Sequence, residues 1–339
     1  MTDRNEDPPK RGVTMADVGR LAGVSQVTVS RALSSPSKVS AETLQRIHDA
    51  IARTGFVPNA LAGALASSKS NLVAALVPSV TNVVYASMLH AFSEIMWGHG
   101  YQIMLSETGY DPEREEKAIA THLSRRPDAI LLTGVRHSPA ARRMLLNAGI
   151  PVVEIWDISE TPIDRCVGFS HVDAAVAAAD FALGAGYRHA ATITAGDERA
   201  QRRRDAFALH FSKRSGNAVQ QIDFDRSATL GLGREAVVQL LQQDLPARTV
   251  LFCSSDQFAH GALVEAGAQG LSVPGDLAVI GFGDQDFAAQ THPPLTTVRI
   301  DREALGQQAA QALLVGFAKS GPSNAVHDVG FEFIRRGSA

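Results

Sequence analysis

The stretch 13-VTMADVGRLAGVSQVTVSRAL-33 decides the reading of this 339-residue chain. Thr14 is placed to cap a first helix, because its hydroxyl can satisfy a free backbone N–H at the helix start. Met15, Val18 and Ala22 follow at three- and four-residue spacing and make one apolar stripe. Gly23 can take the positive φ of a tight helix exit. Ser25 then caps a second helix, whose Val29, Ala32 and Leu33 are expected to pack back on the first. Gln26, Val27, Thr28, Ser30 and Arg31 are left pointing outward or obliquely. Two short helices joined in this way present one of them to the DNA major groove. Gln and Arg carry donors that reach base edges, and hydroxyls such as those of Thr14 and Ser25 suit phosphates. An ordinary surface hairpin is the alternative, and the rest of the chain weighs against it.

A third helix is expected from Ser40, its N-cap, with Leu44, Ile47 and Ile51 as the buried stripe and Gly55 as its end. The segments DVGRLAGVSQVTVSRAL, KVSAETLQRI, GFVPNALAGALA, SSDQFAHGAL, VPGDLAVIGF and PPLTTV then recur in one order along nearly the whole chain. With these the chain resembles the LacI/GalR family of bacterial repressors. The resemblance implies an all-α helix-turn-helix head at 12–58, a hinge helix and linker at 59–70, and a two-lobed effector-binding and dimerisation region at 71–339. It implies that Asn59 caps the hinge helix and that Leu65 enters the minor groove as an apolar wedge that kinks the duplex. A flexible Ala/Gly linker is the alternative for that segment.

Charge and composition agree with this division. Residues 1–70 hold nine Lys or Arg against six Asp or Glu, and the remainder holds 23 against 29. A basic head draws phosphates and an acidic body does not. So small an excess binds DNA weakly as a monomer, so a homodimer is expected, and the resemblance implies that it reads two half-sites of a pseudo-palindromic double-stranded operator. Cys166 and Cys253 are the two cysteines, far apart in sequence, as suits a reducing cytoplasm. No run of about 18 apolar residues suggests a membrane span, and the first residues do not read as a signal peptide. Zinc-finger spacing, a P-loop and G-x-S-x-G are absent, so neither a metal, a cofactor nor an enzyme activity is expected.

From Leu72 onward apolar runs alternate with amphipathic stretches. The runs lie at 72–77, 101–105, 129–132, 152–155, 191–194, 250–253 and 277–280. This alternation indicates parallel sheets covered on both faces, and its length suits two α/β lobes of the periplasmic-binding-protein kind. The resemblance places lobe 1 at about 71–169 and 301–328, and lobe 2 at about 170–298 and 329–339. A periplasmic sugar-binding protein is the runner-up for this region taken alone; the helices at 13–33 argue against it.

In open α/β sheets ligands sit at the carboxyl ends of strands. That rule selects Ser79, Asn82 and Tyr85 after the first run, and Asp157 after the fourth. Phe169 matches an aromatic that lines the family's cleft, with a core position as the alternative. Arg203 matches the family's effector-binding Arg, and Arg199 lies one turn earlier on the same face of a helix. Arg202 and Arg204 are expected to face solvent. Ser255 and Asp256 stand where the family more often has Asn-Asp, and Asp256 could instead cap the next helix. Gly283 replaces the family's sugar-binding Asp, so that either Asp284 reaches the ligand or a water fills the space. His137 is either a further contact or structural. The stretches LVPSVTNVVYASMLHAFSEIMWGHGYQIMLSETGYDPEREEKAI, LLTGVRHSP and VIGFGDQDFAA look like gluconate-utilisation repressors. The expected effector is therefore gluconate or 6-phosphogluconate, held by hydroxyl-binding Asn or Asp and a guanidinium.

Overall fold

The computed structural model describes residues 12–58, 69–243, 245–318 and 325–339. The chain divides into two compact units, Met1–Ser70 and Asn71–Ala339.

In the first unit, helices α1 (Met15–Ala22), α2 (Gln26–Ser34) and α3 (Ala41–Thr54) enclose a small core. Thr14 and Asp17 form a reciprocal capping box at the start of α1, and Gly23 ends it at φ 69°. Ser25 and Ser40 cap α2 and α3 through the backbone N–H groups of Thr28 and Thr43. The core is Val18, Ala22, Val29, Ala32, Ile47, Ala50 and Phe56. Leu33 does not join it and is 37% exposed. The buried face of α2 is the i, i+3 pair Val29 and Ala32, and Leu33, one residue further round the helix, turns outward.

The second unit holds two six-stranded sheets. Lobe 1 contains β1 (Leu72–Val77), β2 (Gln102–Glu107), β3 (Ala129–Thr133), β4 (Val152–Ile155), β5 (Arg165–Gly168) and β11 (Ala325–Asp328). Lobe 2 contains β6 (His189–Thr194), β7 (Gln220–Asp223), β8 (Thr249–Cys253), β9 (Leu277–Phe282), β10 (Thr296–Arg299) and β12 (Glu332–Ile334). The strand orders are β2-β1-β3-β4-β5-β11 and β7-β6-β8-β9-β10-β12, the same doubly wound pattern twice. Every pairing is parallel except β10 with β12. The chain passes between lobes after β5, after β10 and after β11.

Helices α4 (Val83–Gly98), α5 (Pro112–Ser124), α6 (Pro139–Ala148) and α11 (Arg302–Phe317) belong to lobe 1. Helices α7 (His171–Gly184), α8 (Glu198–Ser215), α9 (Leu230–Leu241) and α10 (Asp256–Ala268) belong to lobe 2. Strand residues split between two cores by alternation. In β1, Val73 and Ala75 enter a core that runs through both lobes, while Ala74 and Leu76 enter a second core confined to lobe 1. In β8, Val250 and Phe252 join the shared core, while Leu251 and Cys253 face a third core in lobe 2. Burial on both faces explains why these strands read as unbroken apolar runs. Among the described residues no helix is long and apolar enough to cross a membrane.

The separate head core predicts a separate stability. Ile47 is fully buried there, and truncation to Ala should cost the head about 2–5 kcal/mol. Urea denaturation of Ile47→Ala should show early loss of head structure and an unchanged transition for Asn71–Ala339. Equal shifts of both transitions would contradict independent folding.

Candidate functional site

The exposed face of the head lies on α2. Gln26, Val27, Ser30 and Arg31 are exposed there, with Val27 at 66%. Thr28 is half-buried, with its hydroxyl 3.0 Å from that of Ser25. Thr14 spends its hydroxyl on Asp17. Asn59 and Leu65 lie outside the described residues.

In the second unit, loops at the carboxyl ends of both sheets surround a cavity of about 450 Å³. Lobe 1 contributes Ser79, Asn82, Tyr85, Trp156 and Phe169; lobe 2 contributes His171, Arg199, Arg203, Ser255 and Phe282; Arg302 enters where the chain crosses back to lobe 1. Six sequence-selected residues besides Phe169 therefore line one space: Ser79, Asn82, Tyr85, Arg199, Arg203 and Ser255. Two of them also cap helices. Asn82 accepts from the Val84 N–H at 3.0 Å, and Ser255 from the Gln257 N–H at 3.2 Å.

A buried hydrogen-bond chain organises the cavity floor. His171 Nε2 lies 2.8 Å from the Trp156 carbonyl oxygen, and its Nδ1 lies 2.8 Å from Arg203 Nη1. Arg203 Nη2 donates to the Ser254 carbonyl at 3.0 Å, and the guanidinium sits 4.1 Å over the Phe282 ring. Burial, joined by the charge of Arg203, holds the His171 pKa well below the usual value. The ring is therefore neutral, with Nε2 protonated toward the carbonyl and Nδ1 accepting from Arg203. Burial also lowers the Arg203 pKa from its ordinary value. Arg199 Nη2 donates to the Tyr85 hydroxyl at 2.9 Å, which lies 3.1 Å from that of Tyr110.

Three residues lining the cavity each carry a buried N–H group with no hydrogen-bond partner among the described residues: Trp156 Nε1, Arg203 Nε and Arg302 Nη1. Trp156 also holds a φ of 70°, an outlier for a bulky side chain that needs its surroundings to fix it. Asp197 is the acidic residue on the lining, and it is engaged in capping α8 from the Ala200 N–H at 3.0 Å. The arrangement suits a ligand rich in acceptors and bearing negative charge.

Four sequence-selected residues do not line this cavity. Asp157 turns away to a buried pair with Arg202, beside a second cavity of about 280 Å³. The same pair corrects the solvent-facing expectation for Arg202. Arg204, for its part, pairs with Asp205 and Asp223. Asp256 lies beneath the strand ends, accepting from Thr297 Oγ1 at 2.6 Å and the Gln285 N–H at 2.7 Å. Burial pushes its pKa up to about 6 against those two bonds. It is the first residue of α10 rather than its cap. A Cβ at Gly281 would collide with its carboxylate, so glycine there lets β9 pass over it. Asp284 pairs with Arg299 at 2.6 Å and Arg336 at 2.7 Å. Burial opposes its charge, and the two guanidiniums outweigh burial and lower its pKa.

His137 is the fourth. It is buried in lobe 1, with Nδ1 2.7 Å from Glu115 and Nε2 3.4 Å from Glu154, and its side chain is 1% exposed. Trp156, His171 and Arg302 were missed in sequence. Each follows a strand end by one to three residues, but Arg302 follows β10, whose Thr-Thr-Val-Arg carries no apolar run.

Residues 14–59 match bacterial regulatory proteins of the lacI family, and residues 179–339 match a periplasmic binding protein-like domain. The HTH-type transcriptional regulator GntR of Pseudomonas aeruginosa is 37% identical over 96% of this chain and 95% of its own. The regulator of the same name from Escherichia coli K12 is 32% identical, covering 97% and 99%. A crystal structure of a LacI-family transcriptional regulator from Silicibacter pomeroyi superposes with a TM-score of 0.89 at 32% identity, covering 96% and 99%.

His137 gives a pH prediction. Burial opposes its charge, but hydrogen bonds to the Glu115 and Glu154 carboxylates raise its pKa from 6.5 to about 9. Protons bound more tightly in the folded state stabilise it below the unfolded pKa, and that stability is lost as pH rises through the folded one. Urea midpoints should therefore fall between pH 6.5 and 9, and His137→Gln should flatten that fall. Parallel pH profiles for the two proteins would remove the assignment.

Proposed function

This chain belongs to the lacI family of bacterial regulatory proteins, and we propose that it is a transcriptional repressor whose effector is a sugar acid, gluconate or 6-phosphogluconate, held in the cavity between the lobes. The observation that carries this reading is the set of three guanidinium residues, Arg199, Arg203 and Arg302, lining a cavity of about 450 Å³ whose acidic residue, Asp197, is engaged in a helix cap. A carboxylate supplies acceptors for such donors, and polyol hydroxyls suit Ser79, Asn82 and Ser255. Apolar walls from Trp156, Phe169 and Phe282 suit the C–H faces of a sugar chain.

In this proposal two copies of the chain form a homodimer, and each α2 reads one half-site of a pseudo-palindromic operator. Gln26, Val27 and Arg31 meet base edges, and Thr14, Ser25, Thr28 and Ser30 meet the phosphate side. The hinge at 59–70 carries the Asn59 cap and the Leu65 wedge. Ligand touches both lobes at once, so it favours the lobe arrangement in which both sets of contacts are made. That bias reaches the head through the hinge and changes operator affinity.

Two measurements test the reading. Calorimetric titration of the full-length chain should give saturable heat with gluconate, 6-phosphogluconate or both. Heat from a neutral sugar with silence from both acids would overturn the effector. On operator DNA recovered by genome-wide footprinting, Arg31→Ala should weaken binding by about 1–3 kcal/mol in an anisotropy titration. Unchanged affinity would remove Arg31 from the base-reading set.

A further inference from the structure

We propose that Arg302 is the residue that discriminates a sugar acid from its uncharged polyol, by taking the ligand carboxylate. This deepens the reading above and rests on it. Three guanidiniums line the cavity, and their existing commitments differ. Arg203 spends Nη1 on His171 and Nη2 on the Ser254 carbonyl, which leaves Nε alone. Its planar fork is thus turned to the protein, and it serves as a floor for the ligand. Arg199 spends Nη2 on Tyr85 Oη, with the Asp197 carboxylate, two residues earlier, favouring its charge. Arg302 makes one long contact, Nη2 to the Asp284 carbonyl at 3.4 Å, and its Nη1 is buried and unpartnered among the described residues.

A carboxylate is bound most strongly by two parallel N–H donors of one guanidinium. Of the three, Arg302 is the least committed, since its one hydrogen bond among the described residues is the long contact to the Asp284 carbonyl. Its base is fixed, since Asp301 caps α11 by accepting from the Ala304 N–H at 2.9 Å. Competing negative charge is small: Asp197 faces the same cavity while capping α8, and Asp284 is paired with Arg299 and Arg336. His171 is neutral and adds no rival cation. A neutral polyol has no group to offset the desolvated charge of Arg302, so the residue acts against neutral ligands as well as for acids.

The test compares gluconate with glucitol, which has CH₂OH in place of the carboxylate, by calorimetry on the full-length chain. The parent should bind gluconate more tightly than glucitol. Arg302→Met should lose about 10- to 100-fold in gluconate affinity, the range for a hydrogen bond to a charged group. Its glucitol affinity should hold or rise, and Arg302→Lys should recover part of the gluconate loss. Equal gluconate binding by parent and Arg302→Met would overturn the assignment and leave the sugar-acid reading standing. Equal loss of both ligands would also overturn it, by showing a structural role. No gluconate binding by the parent would instead sink the sugar-acid reading itself. A melting curve checks folding of Arg302→Met. If that variant does not fold, Arg302→Lys decides, since a point charge must bind gluconate less well than the fork while leaving glucitol unaffected.

Discussion

The cavity depends on the hydrogen bond between His171 Nδ1 and Arg203 Nη1, at 2.8 Å. It ties four strand ends into one polar chain. Trp156 follows β4, His171 follows β5, Arg203 lies on the helix after β6, and Ser254 follows β8. The chain works in one protonation state only. A protonated His171 would set a donor against the Arg203 donor, and burial beside that guanidinium is what keeps the ring neutral. The carbonyl of Trp156 then fixes the tautomer. A buried Arg with no carboxylate partner is costly on its own. Here two acceptors and the face of Phe282 stand in for one, which leaves the positive charge available to the cavity.

Helix α8 carries the contacts from lobe 2 to lobe 1 in its first two turns. Glu198 meets Arg136, Arg199 meets Tyr85, and Arg202 meets Asp157. These differ in weight. Arg136 and Glu198 are 68% and 43% exposed, so water and salt screen them and their pair contributes little. Asp157 is 2% exposed, and losing Arg202 would leave a buried carboxylate unpaired. The approach of the lobes on that side is therefore set by Asp157 and Arg202. Tyr110 and Arg199 face both cavities and separate this latch from the space lined by Trp156 and Arg302.

The doubly wound lobes were readable because strands buried on both faces lack polar alternation, and six of the seven apolar runs fall on such strands, the seventh being the edge strand β2. The strands missed were the short, Thr- or Gln-bearing ones, such as Gln220–Asp223 and Thr296–Arg299. Missing β10 meant missing Arg302, because the rule that finds ligand residues needs a strand end to start from. Residues on helix faces were placed well, since Arg199 and Arg203 are one turn apart. Carboxylates were placed badly. Asp157, Asp256 and Asp284 all stand at strand ends, yet each is taken by a partner distant in sequence: Arg202, Thr297 or Arg336. Sequence position shows that an acid is near the cleft, but not whether a cation has already claimed it. The same holds for His137, whose partners Glu115 and Glu154 come from another helix and another strand.

The division between engaged and unengaged groups bears on how a ligand acts through this fold. A ligand shifts a two-state equilibrium only by contacts made in one state and not in the other. The pair of Asp157 with Arg202 joins the lobes by the protein's own charges. In the proposed reading, what a ligand adds is confined to the cavity, where Trp156 belongs to lobe 1 and Arg203 to lobe 2. A ligand bridging those two residues would reward one spacing of the lobes and penalise others. The same contacts would then select the chemistry of the ligand and make its binding energy depend on the lobe arrangement.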